Sequence, residues 1–303
     1  MLNNILLYIV TSNSLYYVLI FIGGTLVGSF LNVVSDRLLK GKSIVMGRSE
    51  CESCHKELSA KELVPVVSYL LQKGKCSSCG VKLSAYYPIS EILTGSLFVA
   101  LAVWLGVFST ADTSIYIAYA FHLVIASFLV ALLLTDLKDM ILPDKIVFPA
   151  IIFVLVARIC AVTWALYKMY QSLVSDPFGK YLLKAGFLTN HIKFEAVNLV
   201  WVIGGALFVS LFFLFLIFIT KGRGMGGGDV KLGFLLGLIN GFPNFAVMLF
   251  ASFLAGALYS IVLVLLRKKG MKEAIPFGPF LILGCYVALF FGEYLVNRYL
   301  SML

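Results

Sequence analysis

Apolar runs long enough to cross a lipid bilayer recur along most of this chain. A spanning helix needs about 20 mostly apolar residues. Stretches of that kind cover residues 15–34, 87–107, 115–135, 146–167, 197–220, 245–266 and 277–296. A shorter apolar stretch, 230–242, opens with Gly-Asp, closes with Gly-Phe-Pro and predicts a short eighth helix. The pattern therefore predicts an all-α polytopic membrane protein with about eight transmembrane helices.

The composition supports a membrane protein over a soluble one. Hydrophobic residues make up 61% of the 303 residues and charged residues 13%, with a mean hydropathy of +0.99. Soluble domains have about 25% charged and about 45–50% apolar residues. The net charge of +9 does not indicate nucleic-acid binding, because the basic residues cluster in the loops between apolar runs.

The distribution of basic residues predicts how the chain is oriented. Four segments, 35–86, 136–145, 221–231 and 267–275, hold eighteen of the 24 Lys and Arg residues. By the positive-inside rule these segments face the cytoplasm, and both termini then lie on the far side of the membrane. Segment 168–195 is interpreted as a long loop on that far side.

Four of the six cysteines form two C-x-x-C pairs in one polar segment. The pairs are Cys51 with Cys54 and Cys76 with Cys79. Pairs separated by about 20 residues are typical of a four-thiolate zinc site rather than a disulfide framework. The reducing cytosol suits free thiolates.

The same segment defines the predicted domain organisation. Residues 1–35 form the first transmembrane helix, 36–86 a small cytoplasmic zinc-binding domain, and 87–303 the remaining transmembrane domain. About fifty residues rarely bury an adequate core, and a structural metal is a common remedy.

The first candidate for chemistry is Asp136, which directly follows the apolar run 128–135. A carboxylate at that depth is costly unless it is partnered or functional. The nearby Asp144 follows Pro143 at the start of the next span, where a proline and an acid favour a helix N-terminus. By itself, Asp136 is equally compatible with a structural helix end.

The second candidate is Asp229, which ends the glycine-rich sequence G-M-G-G-G-D before Val-Lys. Glycines expose the backbone and let another chain approach closely. An edge of this kind could accept a substrate peptide as a strand, so Gly226, Gly227, Gly228 and Lys231 are the substrate-binding candidates. The alternative is a flexible turn in which Asp229 caps the next helix.

Asp136 and Asp229 are predicted on the same membrane face, and together they suggest aspartyl protease chemistry. Two neighbouring carboxylates do not both ionise easily, so one of them keeps its proton. The ionised acid can take a proton from water while the protonated acid polarises the scissile carbonyl. Two further charges, Arg158 and Glu293, fall within spans and are expected to pair or to reach the membrane surface.

These motifs resemble those of the type IV prepilin peptidases, members of the G-x-G-D intramembrane aspartyl proteases. The family's aspartate followed by Leu-Pro-Asp is similar to residues 136–144, and its G-M-G-x-G-D-x-K is similar to 224–231. The resemblance continues through the sequences Gly-Ser-Phe-Leu-Asn at 28–32, the cysteine pairs, Tyr-Pro at 87–88 and Pro-Phe-Gly-Pro-Phe at 276–280.

The resemblance implies a specific function and set of cofactors. The family cleaves short basic leaders from prepilins and pseudopilins, before their apolar helix, with two aspartates that correspond to Asp136 and Asp229. Members with the cysteine-bearing domain also methylate the new amino terminus with S-adenosylmethionine. This chain departs from the family at Leu39, at Ala85-Tyr86 and in segment 168–195, which has the character of an insertion.

Two other classes of function compete with the protease. An ion-coupled transporter could use the intramembrane acids as a proton relay, but it predicts acids near the bilayer midplane and an internal repeat. Here the acids are predicted at one face, and no repeat is visible. A non-catalytic assembly factor could use the zinc domain for docking.

Overall fold

The computed structural model describes residues 14–44, 46–51, 53–109, 112–222, 225–266 and 275–302. Over these residues the chain is helical, with a 3-10 helix at Ala60–Leu63 and two isolated β-bridges. The α-helices are α1 (Ser14–Leu39), α2 (Val67–Leu71), α3 (Tyr86–Trp104), α4 (Thr113–Asp139), α5 (Asp144–Ser175), α6 (Gly179–Lys184), α7 (Phe187–Thr220), α8 (Gly227–Asn240), α9 (Asn244–Leu265) and α10 (Gly278–Leu300).

Seven of these helices are long and apolar enough to cross a bilayer, namely α1, α3, α4, α5, α7, α9 and α10. The prediction of an all-α polytopic membrane protein is therefore confirmed. The predicted short eighth helix is present as α8. With 14 residues it is about 21 Å long, which is less than the hydrocarbon core of about 30 Å.

The prediction of a long loop over residues 168–195 was wrong. Helix α5 continues to Ser175, α6 follows, and α7 begins at Phe187. The helix persists because no glycine or proline interrupts the chain between Lys168 and Ser175, and the breaks fall near Pro177 and at Gly186, whose φ is +80°. With lengths of about 48 and 51 Å, α5 and α7 exceed the hydrocarbon core and continue beyond it.

The chain divides into two compact units, Met1–Asp139 and Met140–Leu303. The first unit contains α1 to α4, with the cysteine-bearing segment between α1 and α3. Helices α1 and α3 approach closely, since a Cβ on Gly24 would lie 2.7 Å from the Cα of Gly95. Closer to the C-terminal end of α1 and the N-terminal end of α3, the side-chain amide of the buried Asn32 donates to the Ser90 hydroxyl at 2.8 Å. Small residues and hydrogen bonds of this kind stabilise helix pairs in lipid.

In the second unit α8 is the most enclosed helix. It contacts α5, α7, α9 and α10, and every residue from Leu232 to Asn240 except Phe234 is buried. Helix α7 lies so close that a Cβ on Gly237 would be 2.6 Å from the Cα of Ala206. A backbone atom cannot move aside as a flexible side chain can, so this position requires glycine.

We therefore expect Gly237→Ala to destabilise the protein by about 1–3 kcal/mol, the usual cost of overpacking a core. Thermal unfolding in detergent would measure the loss. The matched control is Gly204→Ala in α7, where an added Cβ meets nothing within 4 Å and improves helix propensity. If the two variants had equal melting temperatures, the close α7–α8 packing would be contradicted.

Candidate active site and metal centre

The four cysteines of the C-x-x-C pairs converge in the first unit. The Sγ atoms of Cys51, Cys54, Cys76 and Cys79 all lie within 4.8 Å of one another. All four are free thiols, and Cys51 Sγ is 3.9 Å from Cys79 Sγ. A tetrahedral ion with Zn–S bonds of about 2.3 Å places its sulfur atoms about 3.8 Å apart. The cluster therefore fits a four-thiolate metal site.

The two cysteine pairs share one backbone fold. In each, the first cysteine donates its N–H to the carbonyl five residues later and accepts from the N–H four residues later. The residue at that fourth position adopts a positive φ, +56° at His55 and +70° at Gly80. This short repeat could not be found from the sequence, because it consists of backbone hydrogen bonds. The two segments share only their cysteines as a sequence pattern.

Local hydrogen bonds favour the thiolate form of Cys76, the first cysteine of the second pair. The backbone N–H groups of Cys79 and Ser78 lower the pKa of Cys76 to about 6, and metals bind the thiolate. Beside this pair, Ser77 donates to the Glu62 carboxylate, which also accepts from the N–H of Ser59 at 2.8 Å. These bonds lower the pKa of Glu62 to about 2, so Glu62 ties the pair to the 3-10 helix as a carboxylate.

Two side chains on the long helices anchor the cysteine-bearing segment. The buried Glu91 of α3 accepts the backbone N–H of Val66 at 2.7 Å. Val66 has φ of +60°, which is unfavourable for a β-branched residue, so the contact holds a strained turn in place. On α1, the Arg37 guanidinium donates to the loop carbonyls of residues 43, 44, 46 and 47, at 2.8–3.3 Å.

Asp136 lies in the last turns of α4 and is 5% exposed. The residues on either side of it are tied to other helices of the first unit. The Tyr86 hydroxyl donates to the carbonyl of Leu134 at 3.1 Å, and Lys138 forms an ion pair with Asp36. These contacts hold the end of α4, the part of the helix that carries Asp136.

Asp229 lies in the first turn of α8 and is half-buried. Its carboxylate accepts the N–H of Gly226 at 3.3 Å, so the helix-capping role considered from sequence is present. A carboxylate is also favourable at a helix N-terminus because of the helix dipole. The cap holds Asp229 in a defined orientation at the exposed end of α8.

Within the second unit, the Leu-Pro-Asp sequence meets the glycine motif. A Cβ on Gly228 would lie 3.2 Å from side-chain atoms of Leu142. Lys231 Nζ lies 2.6 Å from the carboxylate of Asp144 and 5.5 Å from the centre of the Phe148 ring. The two motifs, widely separated in sequence, therefore form one continuous surface in the fold.

The predicted substrate-binding residues occupy different surroundings on this surface. Gly226 and Gly227 are exposed, Gly228 packs on Leu142, and Lys231 is engaged by Asp144. Gly224, which begins the motif, and residues 267–274 of the predicted basic loop lie outside the described residues.

Two family models match the chain. The model described as "Bacterial Peptidase A24 N-terminal domain" matches residues 22–105, and the model described as "Type IV leader peptidase family" matches residues 123–261. The first match includes the cysteine cluster, and the second includes both candidate aspartates.

Curated relatives align along nearly the whole chain. Proteins named "Prepilin leader peptidase/N-methyltransferase" from Bacillus subtilis, Aeromonas salmonicida and Pseudomonas aeruginosa are each 30% identical to it. The alignments cover 94%, 95% and 92% of this chain and 98%, 94% and 91% of the respective relatives. No solved structure is significantly similar.

The fold and the cysteine cluster define a multi-pass membrane protein with a four-cysteine insert after its first helix. The chain belongs to the type IV leader peptidase family, a family of proteases. The sequence-based resemblance is thereby confirmed. Nothing in these comparisons supports the transporter hypothesis.

The cysteine cluster predicts one bound metal ion per chain. Replacing a ligand with Cys76→Ser should remove most of this metal and lower the melting temperature, because the insert loses its central cross-link. Elemental analysis of the purified full-length protein measures the content. The control is Cys160→Ser, an exposed thiol outside the cluster. Equal metal content in the two variants would rule out the four-thiolate site.

Proposed function

We propose that this protein is an aspartyl endopeptidase that removes the basic leader from prepilins or pseudopilins and methylates the new amino terminus. The observation that carries the proposal is the alignment with prepilin leader peptidase/N-methyltransferases over more than nine-tenths of both chains. An alignment of that extent includes the cysteine cluster and both aspartate motifs.

Asp136 and Asp229 are the proposed catalytic pair. Each is held at the end of a helix by contacts of the neighbouring backbone, as a catalytic acid must be. Leu142, six residues after Asp136 in the chain, packs on Gly228, next to Asp229. The pairing is proposed because both aspartate motifs lie within the segment that matches the type IV leader peptidase family.

The mechanism follows from two acids that share one proton. The ionised carboxylate takes a proton from a water molecule, and that water attacks the scissile carbonyl carbon. The protonated carboxyl group donates to the carbonyl oxygen as negative charge develops on it. The proton taken from water then passes from the first carboxyl group to the leaving nitrogen as the C–N bond breaks. Which acid acts as the base is a property of the coupled pair rather than of either residue alone.

The exposed glycines suggest how substrate is held. Gly226 and Gly227 leave the backbone accessible at the start of α8, and an extended peptide can pair with such an edge. Lys231 completes the proposed substrate-binding set, which also includes Gly228. The predicted orientation puts this surface at the cytoplasmic face of the inner membrane, where a basic leader joins an apolar helix.

The cysteine-bearing segment is the proposed zinc-binding domain. Cys51, Cys54, Cys76 and Cys79 would hold a structural Zn²⁺, which the sulfur-only donor set favours. The domain boundaries are proposed at 1–35, 36–86 and 87–303. S-adenosylmethionine would supply the methyl group when bound, and we assign none of the described residues to it.

The catalytic pair is tested by replacing each acid with its isosteric amide. Asp136→Asn and Asp229→Asn should each slow leader cleavage by about 1000-fold, because each removes one proton-transfer group. Cleavage of a purified prepilin in detergent, followed by mass spectrometry, measures the rate.

The matched control is Asp139→Asn, an exposed acid at the end of the same helix as Asp136, which should cleave at nearly the normal rate. Methylation of a pilin supplied without its leader should persist in all three variants. Normal cleavage by either Asp136→Asn or Asp229→Asn would refute the paired-acid mechanism.

A further inference from the structure

Helix α8 ends deep among the other helices of the second unit. Gly241, just after its last residue, lies against α7, where an added Cβ would be 3.1 Å from Val202. Val202 is fifteen residues after the first residue of α7, about 22 Å along that helix. The end of α8 therefore lies beside the apolar part of a membrane-spanning helix rather than in water.

A helix that ends in such a place leaves carbonyl groups without intrahelical partners. Lipid cannot supply hydrogen bonds, so the protein must. Arg158 of α5 does this, because its Nη2 atom donates to the carbonyl of Ile239 at 2.5 Å. The buried Asn240 adds bonds from its Nδ2 atom to the carbonyl of Leu236 at 3.0 Å and to Cys285 Sγ at 3.1 Å.

Helix α5 holds α8 at the opposite end as well. Asp144, the first residue of α5, pairs with Lys231 in the first turns of α8. Asp144 and Arg158 are fourteen residues apart, about 21 Å along α5, and their partners Lys231 and Ile239 are eight residues apart, about 12 Å along α8. The long side chains of Lys231 and Arg158 cover the difference. The two helices therefore run side by side with a polar contact at each end, and Asp229 lies at the end that carries Lys231.

We infer that Arg158 is a positioning residue that fixes α8, and through it Asp229, from the membrane-buried end of the helix. The role assigned to Asp229 rests on the proposed function. An arginine within a span is costly and is retained where it has a partner or a role. Its guanidinium stays charged and offers several donors, and a cation is favourable at a helix C-terminus.

The test compares graded substitutions in the full-length protein. Arg158→Lys keeps a charged donor, Arg158→Gln keeps a neutral donor, and Arg158→Met keeps neither. The matched control is Arg298→Met, an exposed arginine in the last turn of α10. Two quantities are measured for each variant: hydrogen–deuterium exchange of the α8 amides, and kcat and KM for prepilin cleavage.

We expect Arg158→Met to raise exchange in the second half of α8 and to lower kcat about tenfold or more, because a displaced acid reacts poorly. KM should stay within about twofold, since the exposed glycines are unchanged. Arg158→Gln should be intermediate, Arg158→Lys should restore most of both properties, and Arg298→Met should match the wild type.

Several results would overturn the inference. Unchanged exchange in Arg158→Met removes the capping role, and raised exchange with a normal kcat removes the positioning of Asp229. If Arg158→Met does not fold, the test rests on Arg158→Lys and Arg158→Gln. Equal kcat values for these two variants would contradict the inference, because it requires the charged donor to hold α8 better than the neutral donor. A wild-type protein that cleaves no prepilin, together with raised exchange in Arg158→Met, refutes the proposed function but leaves the helix cap intact.

Discussion

Lipid provides no hydrogen-bonding partners, and this constraint governs the structure of the protein. Each backbone polar group within the membrane must bond inside the protein, which is why the apolar runs fold as helices. The same requirement explains the polar side chains that remain among them. Asn32 and Ser90 bond to each other, and Arg158 and Asn240 bond the end of α8. These polar residues complete hydrogen bonds within the helices, and the two aspartates are proposed to carry out chemistry.

This constraint also explains which parts of the fold could be predicted from sequence. Apolar length gives the spans directly, and the predicted and observed helices agree to within a few residues at most ends. Segment 168–195 was misinterpreted because the end of an apolar run is not the end of a helix. Backbone hydrogen bonds continue a helix into water as long as no residue breaks it, so the hydropathy pattern locates the membrane boundary and misses the helix end.

The cysteine cluster could be predicted from sequence because the spacing of the two C-x-x-C pairs identifies its four members. The residues that support it could not, since their contacts join distant parts of the chain. Glu91 holds the N–H of Val66 from another helix, and Ser77 bonds Glu62 only once both pairs are folded. The contact of Leu142 with Gly228 likewise needs the packing of α5 against α8. The sequence motifs therefore predict the residues proposed for metal binding and catalysis, and the fold provides the contacts that hold those residues.

The central claim is that the carboxyl groups of Asp136 and Asp229 meet, and cysteine cross-linking measures this directly. In protein carrying Cys160→Ser and Cys285→Ser, the pair Asp136→Cys and Asp229→Cys should form a disulfide under mild oxidation, since a disulfide requires Cα atoms within about 7 Å. Leu142→Cys with Gly228→Cys is the positive control, because a Cβ at position 228 would lie 3.2 Å from the Cβ of Leu142, close to the Cβ separation of a disulfide. Tyr116→Cys with Asp229→Cys is the negative control, because Tyr116 is about 30 Å from Asp136 along α4. Efficient cross-linking of positions 136 and 229 is the predicted result. A failure of that pair, in membranes where the positive control cross-links, would contradict the account.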